Sequence, residues 1–579
     1  MIDSSVVYEP GASTPVDPIL FGVISGRLSG IVQEMQDSIF RTGYSTIVRE
    51  SHDASCMILD ADGNVVGEHV IAALHVTALP IAVRRVRERF DDLGPGDVFI
   101  TNHPYAADVT HSIDMAVIRP VFAGERLVAF CASIAHKSDL GGAVPGTANG
   151  NAREAFQEGI LYPPIRYARR GRIVRDVEAI LRANTRTPEL VLGDIRGQIG
   201  VAALGERRLL ETVDRYGLET LLAVFAQKQD TTERRVRAAV ARWPDGVAQA
   251  EALMEGDGPE ETIRCHVRVE KHGDRLLFDF TGSSDQTTMP INVRPSVVRG
   301  CCYYALIGML DPGIENNGGL ARVVETRLRP GSVLDPVFPA PTNAYMTTAA
   351  AVTEAIIAAL SELARERQVA GVGGVGALAF AGRRADGTRF QTYELLGSAY
   401  GARTGLDGLS GISVLLSNSR TAPIEIMETE FPLRVRRFEL ITDSGGPGRY
   451  RGGLGFVREY ELLAPHAEMT LRGGKHVIPA HGIGGGADGR LGTLIVQRAR
   501  SGRAESYPSR FSGVTLEEHD VVRVEKAGGG GLGPPQDRPF EVVLDDVLDG
   551  YVSPQAAIER YGVDPRRLHR ELAAWERPA

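Results

Sequence analysis

Two hydrophobic periods alternate along this chain of 579 residues, and the points where one gives way to the other mark its elements. Apolar positions recur every three to four residues over 19–39, opened by Asp17-Pro18, which predicts a capped helix with proline in its first turn. Gly22, Ser25, Gly26, Ser29 and Gly30 in that run permit close packing. A strand-like run over 54–59 then meets Asp60-Ala-Asp-Gly63, an acidic-glycine sequence suited to a tight turn. Glu68 follows too early for this to be a calcium loop. Helical spacing returns over 77–90, and over 187–228 as one or two helices. Between them, 115–122 and 126–133 read as strands joined by a turn at Gly124-Glu125, a hairpin.

From about residue 245 the pattern changes to short strands. Residues 262–270 alternate apolar and polar positions, and 275–280 answer them across His272-Gly273-Asp274. Apolar helices follow near 297–310 and 347–363. After residue 390 the chain is glycine-rich and strand-like, and a helical tail begins at Pro539. The length exceeds one ordinary core. The reading is an α+β multi-domain chain of mixed helices and largely antiparallel sheets, with a Gly-rich β C-terminal region. Its expected divisions are 1–245, 246–385 and 386–579.

Composition narrows the function classes. Hydrophobic residues make up 43% and charged residues 24%, as in ordinary globular proteins, and the formal charge is −9. No Lys/Arg run forms a stripe, so nucleic acid is not an expected partner. The arginines among residues 167–175 read as a solvated loop or subunit contact. Five scattered cysteines fit neither a disulfide framework nor a Cys-x-x-Cys zinc site. Residues 1–10 lack the basic and apolar regions of a leader, and no uninterrupted apolar run reaches ~18 residues. The expectation is a cytoplasmic protein with no membrane partner.

The candidate chemistry lies at the ends of the 115–133 hairpin. His111-Ser-Ile-Asp114 precedes it and His136-Lys-Ser-Asp139 follows it, with His103 and Asp108 nearby. A hairpin brings the two pairs together. Imidazole with carboxylate suits Zn²⁺, Mn²⁺ or Fe²⁺, and three protein ligands leave a position open for water or substrate. The glycine strings point elsewhere. Gly371-Val-Gly-Gly-Val-Gly376 is followed by a strand-like run, whereas a dinucleotide fingerprint needs strand, turn and helix. Gly528-Gly-Gly-Gly-Leu-Gly533 lacks the Lys-Ser/Thr of a P-loop, so ATP, if used, is expected on another chain. No Gly-x-Ser-x-Gly elbow occurs, and Cys131 sits in an apolar run as a structural thiol.

Several blocks together resemble the hydantoinase B/oxoprolinase family. They are Arg49-Glu50-x-x-Asp53-x-Ser55-Cys56, Asn102-His103-Pro104-Tyr105, His111-x-x-Asp114, Ala135-His136-x-x-Asp139-x-Gly141-Gly142 and Asp279-Phe280-x-Gly282-Ser283, followed by Pro290-Ile291-Asn292, Asp443-Ser444-Gly445-Gly446, Gly528–Gly531 and Asp549-Gly550-Tyr551. The resemblance implies a subunit that works with an ATP-binding hydantoinase A-like partner in a hetero-oligomer. Such complexes open hydantoins, 5-oxoproline and lactams, and relatives carboxylate ketones. It also implies a divalent metal (Zn, Mn or Fe) on His111, Asp114 and His136, with Asp53 as a fourth candidate and Asp139 as a ligand or a residue orienting His136. The expected reaction is hydrolysis of a cyclic amide. The partner activates the carbonyl with ATP, this subunit delivers metal-bound water, and Asp53 or Asp139 serves as base. A ketone carboxylase subunit and a non-catalytic scaffold are the alternatives. Two segments depart from the family's usual strings. Asn343-Ala-Tyr-Met-Thr-Thr-Ala349 stands where Asn-Val-Glu-Thr-Ser-Gln-Arg is usual, and Gly373-Gly-Val-Gly-Ala377 where Gly-Thr-Met-Asn-Asn is. Charged and amide groups give way to apolar or small ones there.

Overall fold

A computed structural model describes residues 16–575 apart from Ala148, Pro259 and Glu260; the leader reading concerns residues 1–10 and lies outside them. The first helix, Pro18–Thr42, is capped by Asp17, whose Oδ1 accepts from the amides of Ile19 and Leu20 at 3.0 and 3.1 Å. Its buried stripe of Ile24, Leu28, Ile31, Val32, Met35 and Ile39 packs on a seven-stranded sheet. That sheet comprises β1 (Ala54–Asp60), β2 (Val65–His69), β3 (Val98–Thr101), β4 (Asp114–Ala123), β5 (Arg126–His136), β6 (Ile165–Arg169) and β7 (Arg172–Ile173). The order is β2-β1-β5-β4-β3-β6-β7, and every pair is antiparallel.

Both faces of the sheet are buried, which explains why β4 and β5 read as near-continuous apolar runs. Met57, Leu59, Phe99, Ile118 and Phe130 pack with the helix His75–Arg89. On the opposite side, Val98, Ile100, Met115 and Val117 pack with Leu192 and Ile195. These two residues belong to Pro188–Tyr216, the first of two helices in the long helical stretch; the second, Leu218–Val240, follows a break at Gly217. The arginine-rich 167–175 segment is in part the exposed edge hairpin β6–β7.

The middle of the chain forms a four-stranded sheet in the order Val324–Arg327, Arg275–Asp279, Thr262–His272, Gly246–Glu255, with the first two strands parallel. Gly246–Glu255 escapes the sequence reading because its apolar positions are mostly alanines and only Ala248 and Met254 are buried. Helices Pro295–Leu310 and Tyr345–Leu363 pack with this sheet. The second is the one described helix long and apolar enough to cross a membrane, and its apolar residues are spent in this core.

The glycine-rich C-terminal region holds two five-stranded sheets sharing a core that includes Phe380, Tyr460, Met469, Leu494 and Leu516. Its glycines serve close backbone approach. A Cβ on Gly528 would fall 1.8 Å from the Ser444 carbonyl oxygen, and one on Gly529 would fall 2.0 Å from that of Tyr400. The amides of Gly528, Gly529, Gly530 and Gly531 all donate to backbone carbonyls. Gly371 and Gly373 likewise donate to His481 and Ala399, so those amides are not turned toward a phosphate. All five cysteines are buried and unpaired. The tail forms the helices Phe540–Leu548, Pro554–Glu559 and Pro565–Trp575.

Candidate metal centre

Strand register assembles the centre. The β4–β5 hairpin sets Asp114 directly opposite His136. His111 joins through a tight turn: the Asp114 amide donates to the His111 carbonyl at 3.3 Å, and His111 Nε2 lies 3.1 Å from Asp114 Oδ2. On the other side of β5, β1 pairs Ala54 with Ala135, and the His136 amide donates to the Asp53 carbonyl at 3.2 Å. The expected residues His111, Asp114, His136 and Asp53 therefore meet.

A further histidine completes the cluster. His75, the first residue of its helix, places Nε2 at 3.5 Å from the same Asp114 oxygen, while its Nδ1 lies 2.8 Å from Ser55 Oγ. Ser55 Oγ accepts from the Ile71 amide and keeps its hydrogen free to give to Nδ1, and the Asp114 carboxylate facing Nε2 favours the ring proton on that nitrogen. His111 is held the other way. Its Nδ1 faces two acceptors of Asn343, the carbonyl oxygen at 3.0 Å and Oδ1 at 2.7 Å, and so must donate. The Asn343 amide nitrogen donates to Thr147, which fixes that side chain's orientation. A neutral His111 ring then presents a bare Nε2 lone pair to a carboxylate oxygen. That contact is favourable only with a positive charge between the atoms, a proton or a metal ion.

His136 is the second mark of a missing partner. The ring is buried, yet neither nitrogen has a hydrogen-bond partner, and an unsatisfied buried polar group costs about 1–3 kcal/mol. Nitrogen and oxygen donors of this kind fit Zn²⁺, Mn²⁺ or Fe²⁺. Among the described residues, however, no three such donors already surround a common point; the atoms touch one another instead.

The electrostatics follow from burial. Burial opposes charge on Asp114, but the adjoining His111 and His75 rings hold its carboxyl well below the usual carboxylate range. Burial and then the nearby Asp114 push Asp53 up to about 6. Burial drives the His136 imidazole well below its ordinary value, against the pull of Asp114. Buried Arg472 is brought down to about 10 and so stays cationic at neutral pH; its Nη1 donates to the Asn343 carbonyl at 2.6 Å. The Tyr345 ring lies 4.6 Å from His111 and that of Tyr393 4.5 Å from His136.

The cluster forms one end of a cavity of about 90 Å³, where a single water needs roughly 10–15 Å³. Asp53, His111, His136, Asn343, Tyr345 and Arg472 all line it. Asp53 is only half-buried because it opens into this space.

Asp139 does not join them, contrary to the expectation of a base, a ligand or a support for His136. Its Oδ1 accepts from the amides of Gly141 and Arg186 at 3.0 and 2.8 Å, and its Oδ2 from the Gly146 amide and Arg186 Nη1 at 3.0 and 3.1 Å. It pins the loop that leaves β5. His103 caps the short helix Pro104–Ala107 through Nδ1, and Asp108 lies 3.3 Å from Arg294, so neither enters the cluster. The sequence reading misses His75, Tyr393 and Arg472. Each is a lone residue in an otherwise unremarked stretch, and only Ser55, already within a motif, hints at His75.

The chain belongs to the Hydantoinase B/oxoprolinase family, whose pattern matches residues 17–535. The subunit beta of caprolactamase from Pseudomonas jessenii is 30% identical over 564 residues, covering 95% of this chain and 96% of that one. The crystal structure of the ATP-dependent caprolactamase from that organism has a TM-score of 0.90 at 28% identity, covering 97% of this chain and 100% of the matched one. A nucleotide-free acetone carboxylase structure shares the fold, with a TM-score of 0.86 at 19% identity over 97% of this chain and 84% of that one.

Proposed function

We propose that this chain is the metal-dependent subunit of an ATP-dependent cyclic amide hydrolase, working in a hetero-oligomer with a separate ATP-binding subunit. The observation that supports the reading is the His111–Asp114 contact, which needs a proton or a metal ion between its atoms, beside a buried His136 with no partner among the described residues, all within a chain of the hydantoinase B/oxoprolinase family. His111, Asp114 and His136 would hold the metal, and His75 would orient Asp114. A divalent ion there would supply a Lewis acid and bring the acidity of water toward neutrality. Asp53 opens into the cavity and takes the proton that attacking water gives up. The Arg472 guanidinium offers positive charge to the oxygen on which negative charge develops. Asn343 orients His111 from behind, as partners of metal-binding histidines do.

An unactivated amide carbonyl is a poor electrophile, so the reading assigns its activation by ATP to the partner; the commitment of the glycine strings here to backbone pairing supports that assignment. Reconstitution with a hydantoinase A-like ATPase subunit tests the reading. ATP-dependent opening of a lactam or hydantoin is the expected result, and the chain alone should show no micromolar ATP binding by calorimetry. A strict bicarbonate requirement would move the assignment to a carboxylase, and a metal-free, fully active complex would make the chain a scaffold.

A further inference from the structure

Two segments remote from each other in sequence, 343–349 and 373–377, converge on the same cavity. Tyr345, Met346 and Thr347 come from one, and Val375, Gly376 and Ala377 from the other. Strand pairing sets Leu395, Ala377 and Arg472 side by side in register, so the surface next to the Arg472 backbone is methyl and isobutyl rather than amide. The backbone limits what this wall can carry. Gly374 has φ 81°, where a side chain is strained, and a Cβ on Gly376 would lie 3.2 Å from the Arg472 carbonyl oxygen. Leu396 and Val414 extend the same apolar lining.

Two arginines line the cavity, and the buried Lys526 ammonium lies next to Gly376. Arg472 is engaged with the Asn343 carbonyl at the cluster, and Arg420 is solvent-exposed on the lining. Met346, Val375, Ala377 and the leucines offer no side-chain donor to an anion. A carboxylate pressed against them would lose its hydration without replacement, which costs far more than a methylene gains.

We infer that this cavity selects neutral cyclic amides with a hydrocarbon ring over rings that carry a carboxylate, and that Met346, Val375 and Ala377 are the specificity-determining residues. This rests on the cluster being the amide site. Each ring methylene laid on that wall should tighten binding about fourfold, the equivalent of ~0.8 kcal/mol. The carboxylate of 5-oxoproline should weaken binding at least ~10-fold relative to 2-pyrrolidinone, the same ring without it.

The test is calorimetric titration of the full chain with 2-pyrrolidinone, δ-valerolactam, ε-caprolactam and 5-oxoproline. A graded rise along the three lactams, with 5-oxoproline weakest, is expected. Val375→Asn and Ala377→Asn, checked for fold by circular dichroism, should each flatten the series to less than ~2-fold per step. An ungraded wild-type series, no lactam binding at millimolar concentration, or 5-oxoproline binding as tightly as 2-pyrrolidinone would each overturn the inference, the last shifting recognition to Arg420. Turnover by the reconstituted complex is read separately. Graded binding without turnover defeats the hydrolase reading and leaves the selectivity standing, and turnover with ungraded binding does the reverse.

Discussion

His111-Ser-Ile-Asp114 and His136-Lys-Ser-Asp139 share one spacing and come to different ends. In the first, both residues face the same point, because the turn before β4 folds His111 back on Asp114. In the second, His136 is still in β5 and faces the cavity. Its neighbour Lys137 points the other way, to Gln198 on the helix Pro188–Tyr216, with Nζ 2.6 Å from Oε1. Side chains alternate across a strand, so a residue three positions on does not share the face of the first, and by Asp139 the chain has left the sheet. Spacing alone carries no geometry; the backbone conformation that hosts it does.

The sharpest way to break this contrast is to remove His136. The protein should hold about one divalent transition metal per chain, and His136→Ala should empty it and lower turnover by more than ~100-fold. Elemental analysis of the folded variant decides this, and normal metal content would take His136 out of the centre. Asp53→Asn keeps size and most hydrogen bonding while removing charge. Turnover should fall by about two orders of magnitude with the fold intact. Metal retained in that variant assigns Asp53 as base, metal lost assigns it as ligand, and near-normal rates end both roles.

Smaller effects sharpen the contrast from either side. His75→Ala leaves Asp114 with one supporting imidazole, so metal affinity should weaken by about 10–100-fold and activity should return at saturating metal. Unchanged affinity in a chelator competition would reduce His75 to packing. Asp139→Asn should cost ~1–3 kcal/mol in denaturant unfolding, because a buried carboxylate loses charge-assisted hydrogen bonds to the loop, with turnover changed by no more than a few-fold. A hundredfold loss of turnover at unchanged stability would restore Asp139 to the reaction.

The hairpin that carries the centre was legible because β4 and β5 are apolar throughout and flank a turn. The first helix was equally plain from Asp17-Pro18 and its apolar stripe. Gly246–Glu255 was hidden by alanines that carry little periodic contrast. His75 was hidden for a related reason: a single histidine among apolar residues looks the same whether it fills a core or faces a carboxylate. Arg472 resembles any arginine at the end of a strand, although it is buried beside Asn343 from the middle of the chain.

Sequence by itself determined the local units, namely the strands, their turns, the helices and a set of donors able to bind a metal, because periodicity and side-chain chemistry are properties of short segments. Only the tertiary structure decided which donors meet, since register across β1, β5 and β4 and the docking of the His75–Arg89 helix join residues remote in sequence. It also decided that residues of 343–349 and 373–377 line one cavity beside the centre. Convergence of that kind depends on how separate elements pack together, and no single segment's pattern encodes it.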